Sequence, residues 1–150
     1  MGAAALFIRR TDAPDWDNAF INFDYKDLFV APNYLVTELW YDHYSPYRLA
    51  YEGDTKELSV SAALAENAGS VIVKVVNPTD RPYTLTLDGD WGPLAGAEYE
   101  FFAPGSLDAA NDMDHKNAVA RQKKALQPQD DRMTLTLAPL SAGVVTLNRS

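Results

Sequence analysis

A mainly β fold, with two layers of antiparallel sheet and one helix near the N-terminus, is what this sequence predicts, on three observations. Apolar residues recur at every second position along 58–64, 71–76, 83–87 and 133–137. Such segments recur at about ten-residue spacing with Gly, Pro, Asn and Asp between them, the mark of a sandwich or barrel. One stretch alone, opening at Pro32, carries a clear helical period.

From the N-terminus, the apolar run Ala3 to Ile8 fits either a strand or a helix end. Thr11 to Asn18, with Asp12, Pro14, Asp15 and Asp17, has loop chemistry, and Phe20, Ile21 and Phe23 suggest a short strand. Pro32 suits a first helical position, where its missing N–H costs nothing. Leu35, Val36, Leu39, Trp40 and His43 then form one apolar stripe, and Pro46 ends the helix. That stripe requires a partner surface.

Leu58, Val60, Ala62 and Leu64 share a strand face, as do Val71, Val73 and Val75. Glu66 to Gly69 between them reads as a hairpin turn, with Asn67 or Gly69 taking positive φ. Residues 77–82 form a second turn, Tyr83 to Leu87 a strand, Asp88 to Asp90 a turn, and Glu98 to Phe102 a strand closed by Pro104 and Gly105. Ser106 to Asn117 reads as a long loop. Met133 to Leu137 and Val144 to Leu147 are the last strands, joined through 139–143.

Composition narrows function. At 150 residues the chain can bury roughly 68–70% of its unfolded surface, and 47% apolar with 23% charged residues describes a globular domain. The formal net charge of -8 repels phosphate backbones, and the short Arg121, Lys123, Lys124 cluster does not offset it, so no nucleic-acid partner is expected. Without cysteine there is no disulfide, thiolate zinc site or nucleophilic thiol. No apolar run approaches the ~20 residues of a membrane span, so no membrane partner is expected. The apolar opening is too short, and wrong in charge order, for a secretory signal; it fits an element of a larger fold.

Candidate chemistry is sparse. Paired carboxylates for glycoside hydrolysis would have to come from Asp15 with Asp17, Asp24 with Asp27, or Asp88 with Asp90, all in turn contexts where carboxylates cap backbone N–H groups. The run Asp108 to Asn117 mimics a calcium loop, yet counting from Asp112 the sixth position is Asn117 instead of Gly and the twelfth is Lys123 instead of Glu. His43 falls on the helix stripe, as a hydrogen-bonded, partly buried side chain, and His115 in the long loop. Ser70 and Ser106 lack the flanking glycines of a nucleophile elbow. No catalytic residue, metal site or cofactor is therefore assigned. For carbohydrate stacking the candidates are Trp91, in a turn, and the Tyr44, Tyr47, Tyr51 group; packing is the alternative for each.

Four stretches carry a family resemblance. They are Trp16 to Asp24 followed by Val30-Ala-Pro-Asn-Tyr-Leu-Val-Thr-Glu-Leu-Trp40; Leu58 to Pro78, ending Val-Val-Asn-Pro; Gly105-Ser-Leu-Asp-Ala-Ala-Asn111 to Val119; and Leu137-Ala-Pro-Leu-Ser141 to Val145. In order and spacing the chain resembles the C-terminal part of the α-L-arabinofuranosidases of glycoside hydrolase family 51. Asn33, Leu35 and Trp40 replace the family's Ser, Tyr and Phe, Asp112 stands where Ser is usual, and Lys116 lies near the usual Pro.

The resemblance implies a jelly-roll-like β-sandwich over 46–150, with 1–45 as the last strand and helix of a catalytic (β/α)8 barrel. It implies retaining hydrolysis of terminal α-L-arabinofuranosyl groups of arabinan or arabinoxylan by the parent enzyme, in the cytoplasm of a bacterium or outside it. The family's acid/base and nucleophile glutamates lie upstream of every matched residue, so this chain inherits no catalytic role. Implied partners are the parent's catalytic barrel, a plant cell-wall oligosaccharide, and a second copy in a homo-oligomer. A carbohydrate-binding module is the alternative function.

Overall fold

The computed structural model describes residues 6–14, 19–55 and 57–150. The apolar opening before Leu6 and the loop residues 15–18, with Trp16, lie outside them.

Strands β1 (Ile8–Arg10), β2 (Ile21–Phe23) and β3 (Leu28–Val30) form a small sheet in that order, β1 parallel and β3 antiparallel to β2. The strand expected around Phe20 to Phe23 is β2. The turn into β3 is built by Asp24, whose Oδ1 accepts the N–H groups of Lys26 (2.6 Å) and Asp27 (2.8 Å). Helix α1 (Pro32–Asp42) starts where the proline indicates, with Ala31 in extended conformation as its cap, and stops at His43 ahead of Pro46.

Next come β4 (Tyr47–Leu49), β5 (Ser59–Leu64), β6 (Ser70–Asn77), β7 (Tyr83–Leu87), β8 (Leu94–Phe102), β9 (Gln122–Leu126), β10 (Met133–Leu137) and β11 (Ser141–Arg149). Six of them make a large antiparallel sheet in the order β4-β5-β6-β11-β8-β9; among the described residues β10 and β7 make the facing layer. The expected sandwich is present, one layer far narrower than the other.

Several boundaries differ from the sequence reading. At the β5–β6 turn the positive φ falls on Ala68 (55°), while the Asn67 side chain accepts the Gly69 N–H at 3.0 Å. The amide of Asn67 is spent bracing the turn, so its neighbour takes the left-handed conformation. β8 begins at Leu94 and β11 at Ser141, because pairing with β11 and β6 extends both strands past their period-two cores. β3, β4 and β9 come from stretches with no apolar alternation.

The large sheet is covered on both faces. Val71, Val73, Val75, Tyr99, Val145 and Leu147 pack toward Leu85, Met133, Leu135 and Leu137 of the small layer. On the opposite face Ile72, Phe102 and Val144 meet Leu39, with Leu35, Val36 and Trp40 beside it. The helix stripe thus finds its partner in this chain's own sheet. Leu39, fully buried, contributes about 1.5–3 kcal/mol by that burial.

Buried polar groups are tied in. Asn77 donates to the carbonyls of Arg81 (2.9 Å) and Ala138 (2.8 Å) and accepts from Thr79, locking the turn after β6. Asn111 donates to the Val30 and Val119 carbonyls, both at 3.1 Å, and accepts the Val119 N–H at 2.7 Å. A single buried side chain therefore pins the long loop to the end of β3.

Candidate functional site

Where the large sheet overhangs the two-stranded layer, a cleft of about 830 Å³ opens. Its floor is apolar: Leu49 of β4, Val60 and Ala62 of β5, and Val71 and Val73 of β6. The whole of β7 lines the cleft, as do Tyr51 and Trp91. Glu52, Asp54, Asp88 and Asp90 also line it, Asp88 bonded to Arg132, and Arg149 is the cation among the described lining residues.

Trp91 is half-buried. Its ring lies over Gly89, where an added Cβ would come within 2.8 Å of it; its indole N–H donates to the Asp131 carbonyl at 2.6 Å, and the Trp91 carbonyl accepts from Arg149 Nε at 3.0 Å. The ring closes one end of the sandwich while lining the cleft. Tyr51 donates its hydroxyl to the Val60 carbonyl at 3.1 Å. Tyr44 and Tyr47 are exposed and lie away from the cleft lining, so the structure joins Trp91 with Tyr51 and leaves the other two tyrosines apart.

A second constellation lies between α1 and the outer face of the large sheet. His43 Nε2 is 3.2 Å from Glu100 Oε1, and Arg121 reaches both Asp42 (2.7 Å) and Glu100 (3.5 Å). Lys123 bonds Glu98 at 2.6 Å and lies 3.8 Å from Glu100. Glu100, the most buried acid of the group, is thereby flanked by the cations Arg121 and Lys123 and by the His43 ring. Of the basic cluster, Lys123 and Lys124 lie on strand β9 and Arg121 just before it, and Lys123 stands opposite Glu100 of β8. Sequence reading missed this network because its members come from α1, β8 and β9.

Three further acids have partners of their own. Asp27 pairs with Lys116 and accepts the Leu28 N–H, which holds its carboxyl below the usual range. The backbone N–H of His115 followed by its ring lowers Asp112, whose Oδ1 also accepts the Asp114 N–H at 2.9 Å. Asp88 is bonded to Arg132 at 2.6 Å. A general acid needs a raised pKa, and Asp27 and Asp112 are displaced the opposite way. These three carboxylates act as turn braces and ion-pair partners.

No protein-family model and no curated protein matches the sequence. Among solved structures, 97% of the chain superposes on an arabinose-bound enzyme named MgGH51 α-L-arabinofuranosidase, with a TM-score of 0.87 and 15% identity, covering 24% of that chain. For an α-L-arabinofuranosidase from Thermotoga maritima in complex with arabinose, the TM-score is 0.75 and the identity 16%, over 87% of this chain and 31% of that one. For the family 51 arabinofuranosidase from Xanthomonas axonopodis pv. citri the values are 0.71 and 21%, over 87% and 29%. The chain spans less than a third of the length of each. Its fold is that of one portion of the family 51 α-L-arabinofuranosidases.

Proposed function

We propose that this chain is the C-terminal accessory β-sandwich of an α-L-arabinofuranosidase-like glycoside hydrolase, non-catalytic by itself, which buttresses a catalytic barrel. In this reading 1–45 are the barrel's last strand and helix and 46–150 the sandwich. The observation that carries it is the near-complete superposition of this chain on about a quarter of an arabinofuranosidase. The N-terminal part supports it: Phe7, Ile8 and Leu28, on β1 and β3 or beside them, leave apolar side chains more than half exposed, as elements cut from a larger layer do. The acids described above brace turns or form ion pairs, which also fits a scaffold.

The test is hydrolysis of 4-nitrophenyl α-L-arabinofuranoside. The purified chain is expected to give no turnover, and the same chain joined to its upstream coding sequence to give it. Turnover by the 150 residues alone overturns the reading, as does an upstream sequence with no barrel.

A carbohydrate-binding role is the second reading, favoured by Tyr51 and Trp91 sharing one cleft. Titration with arabinan, arabinoxylan and xylan oligosaccharides tests it: binding lost in Trp91→Ala supports it, and no heat at millimolar sugar removes it.

A further inference from the structure

β1 and β2 run parallel with Arg10 opposite Phe23, so the two strands end together, and the Thr11 N–H carries the ladder one bond further, to the Phe23 carbonyl at 2.9 Å. Directly beyond that shared end stand the Arg10–Asp12 pair, bonded through both carboxylate oxygens, and the tip of the β2–β3 hairpin, Asp24 to Asp27. Tyr25 occupies the tip and is 87% exposed. One exposed aromatic is ordinary on a protein surface; the mounting of Tyr25 is not.

The tip is braced from within and from the sandwich. Asp24 Oδ1 accepts the N–H groups of Lys26 and Asp27, and the Asp24 N–H donates to the Asp27 carbonyl at 2.9 Å. Asp27 accepts the Leu28 N–H and is gripped by Lys116 of the long loop, while Asn111 of the same loop holds the Val30 carbonyl at the other end of β3. The ring therefore sits on a stiff mount, and a tyrosine, with two side-chain torsions, loses little further entropy on contact. Lys26 Nζ lies 5.2 Å from the ring centre, and that ring is its partner among the described residues.

We propose that Tyr25 is a sugar-stacking platform on the catalytic face of the parent enzyme, where it contacts substrate residues beyond the one cleaved. The proposal rests on the reading of 1–45 as the end of a (β/α)8 barrel. Such barrels carry their sites at the C-terminal ends of their parallel strands, and whichever of β1 and β2 is the last barrel strand, that end is the one beside Tyr25. The bond that breaks needs an enclosed, water-poor pocket, so a ring this open belongs further out along the substrate. The chemistry of the ligand follows from the surroundings of the ring. A π face is negative and takes the C–H face of a sugar, while Lys26 donates to, and the Asp24 carboxylate accepts from, hydroxyls at its edge. Charges of both signs on Arg10, Asp12, Lys26 and Asp27 stand close together, which suits a neutral, polyhydroxylated chain over an anionic or a purely apolar one.

The test uses the chain joined to its upstream coding sequence, assayed on 4-nitrophenyl α-L-arabinofuranoside and on linear arabinan oligosaccharides. In Tyr25→Ala the KM for the oligosaccharides is expected to rise about tenfold with kcat held, so that kcat/KM on oligosaccharide falls relative to that on the aryl substrate. Tyr25→Trp is expected to restore it. Tyr41→Ala, which removes a comparably exposed ring on α1, is expected to leave the ratio as it was. Should Tyr25→Ala not fold, Tyr25→Leu, which keeps bulk without the π face, decides. An unaltered oligosaccharide KM, a loss that falls on kcat, or an equal effect of Tyr41→Ala overturns the proposal; so does a lower denaturant midpoint at unchanged KM, which makes Tyr25 a packing residue. No turnover of either substrate by the unaltered joined enzyme removes the barrel reading itself, and the proposal with it.

Discussion

Lys74 Nζ donates a 2.8 Å hydrogen bond to the carbonyl of Trp40, and the same ammonium lies 5.9 Å from the centre of the Trp40 ring. The lysine belongs to the outer face of β6 and the tryptophan to the last turn of α1, which has no basic residue of its own. The cation that a helix C-terminus favours is thus supplied by the sheet. Burial lowers the pKa of this ammonium, and the carbonyl and the ring face compensate for part of the lost hydration. Lys74→Met keeps most of the stem and removes the charge. It is expected to lower stability by about 1–2 kcal/mol, read as a lower denaturant midpoint at unchanged slope.

Asn111 is replaceable by neither alanine nor aspartate. Alanine leaves two carbonyls and one N–H without their side-chain partner, and a carboxylate cannot donate to those carbonyls. Either substitution is expected to cost about 2–4 kcal/mol. Limited proteolysis should then cut between 106 and 118 well before the strands.

Gly143 lies under the Tyr99 ring. A Cβ there would sit 2.6 Å from Tyr99 Cε2 and 2.7 Å from the Glu100 carbonyl oxygen, and the second of these is backbone that cannot swing aside. Gly143→Ala is expected to destabilise by about 1–3 kcal/mol or more. Truncating Tyr99 in addition should not restore the loss, which thermal melts of the single and double variants would show.

Tyr99 stacks on Phe101 at 4.5 Å between ring centres. Burial pushes its hydroxyl up to about 12, a rise that the neighbouring Ser141 moderates, and the phenol oxygen has no hydrogen-bond partner among the described residues. The folded state therefore holds the phenol proton more tightly than the unfolded chain, whose tyrosines titrate near 10. The linked stability is full below about pH 10 and falls as pH rises toward 12, by about 2–3 kcal/mol in all. Tyr99→Phe is expected to remove this alkaline loss. At neutral pH it should raise stability by about 1 kcal/mol, because an unpaired buried hydroxyl is gone. Urea titrations at pH 7 and 10.5 check both.

What could be read from the sequence follows the physics of each element. α1, β5, β7 and β10 announce themselves because one face of each is buried and their apolar residues keep a period, whereas β6 and β11, buried on both faces, read as near-continuous apolar runs between turn residues. β9 reads Gln-Lys-Lys-Ala-Leu with only Leu126 buried; as an edge strand protected by lysines it carries no alternation to find. β3 and β4, three residues each, are too short for a period. His43 was legible as a hydrogen-bonded stripe residue, though its partner Glu100, 57 positions away, was not. The cleft was hidden for a different reason. It comes from the unequal widths of two sheets, and width depends on which strands pair, a property that no single segment encodes. Trp91 shows the same limit, since the carbonyl that fixes its indole belongs to Asp131, forty residues on.

Val144 and Val145 are adjacent in β11 and equally inaccessible, yet one packs with Leu39 and Ile72 while the other packs with Leu135 and Leu147. They are a built-in pair of spectroscopic sensors. Methyl labels on the two valines would report separately on each side of a wall one strand thick. A signal that shifts at Val144 while Val145 stays still would mean that the helix has lifted from a sandwich that remains intact.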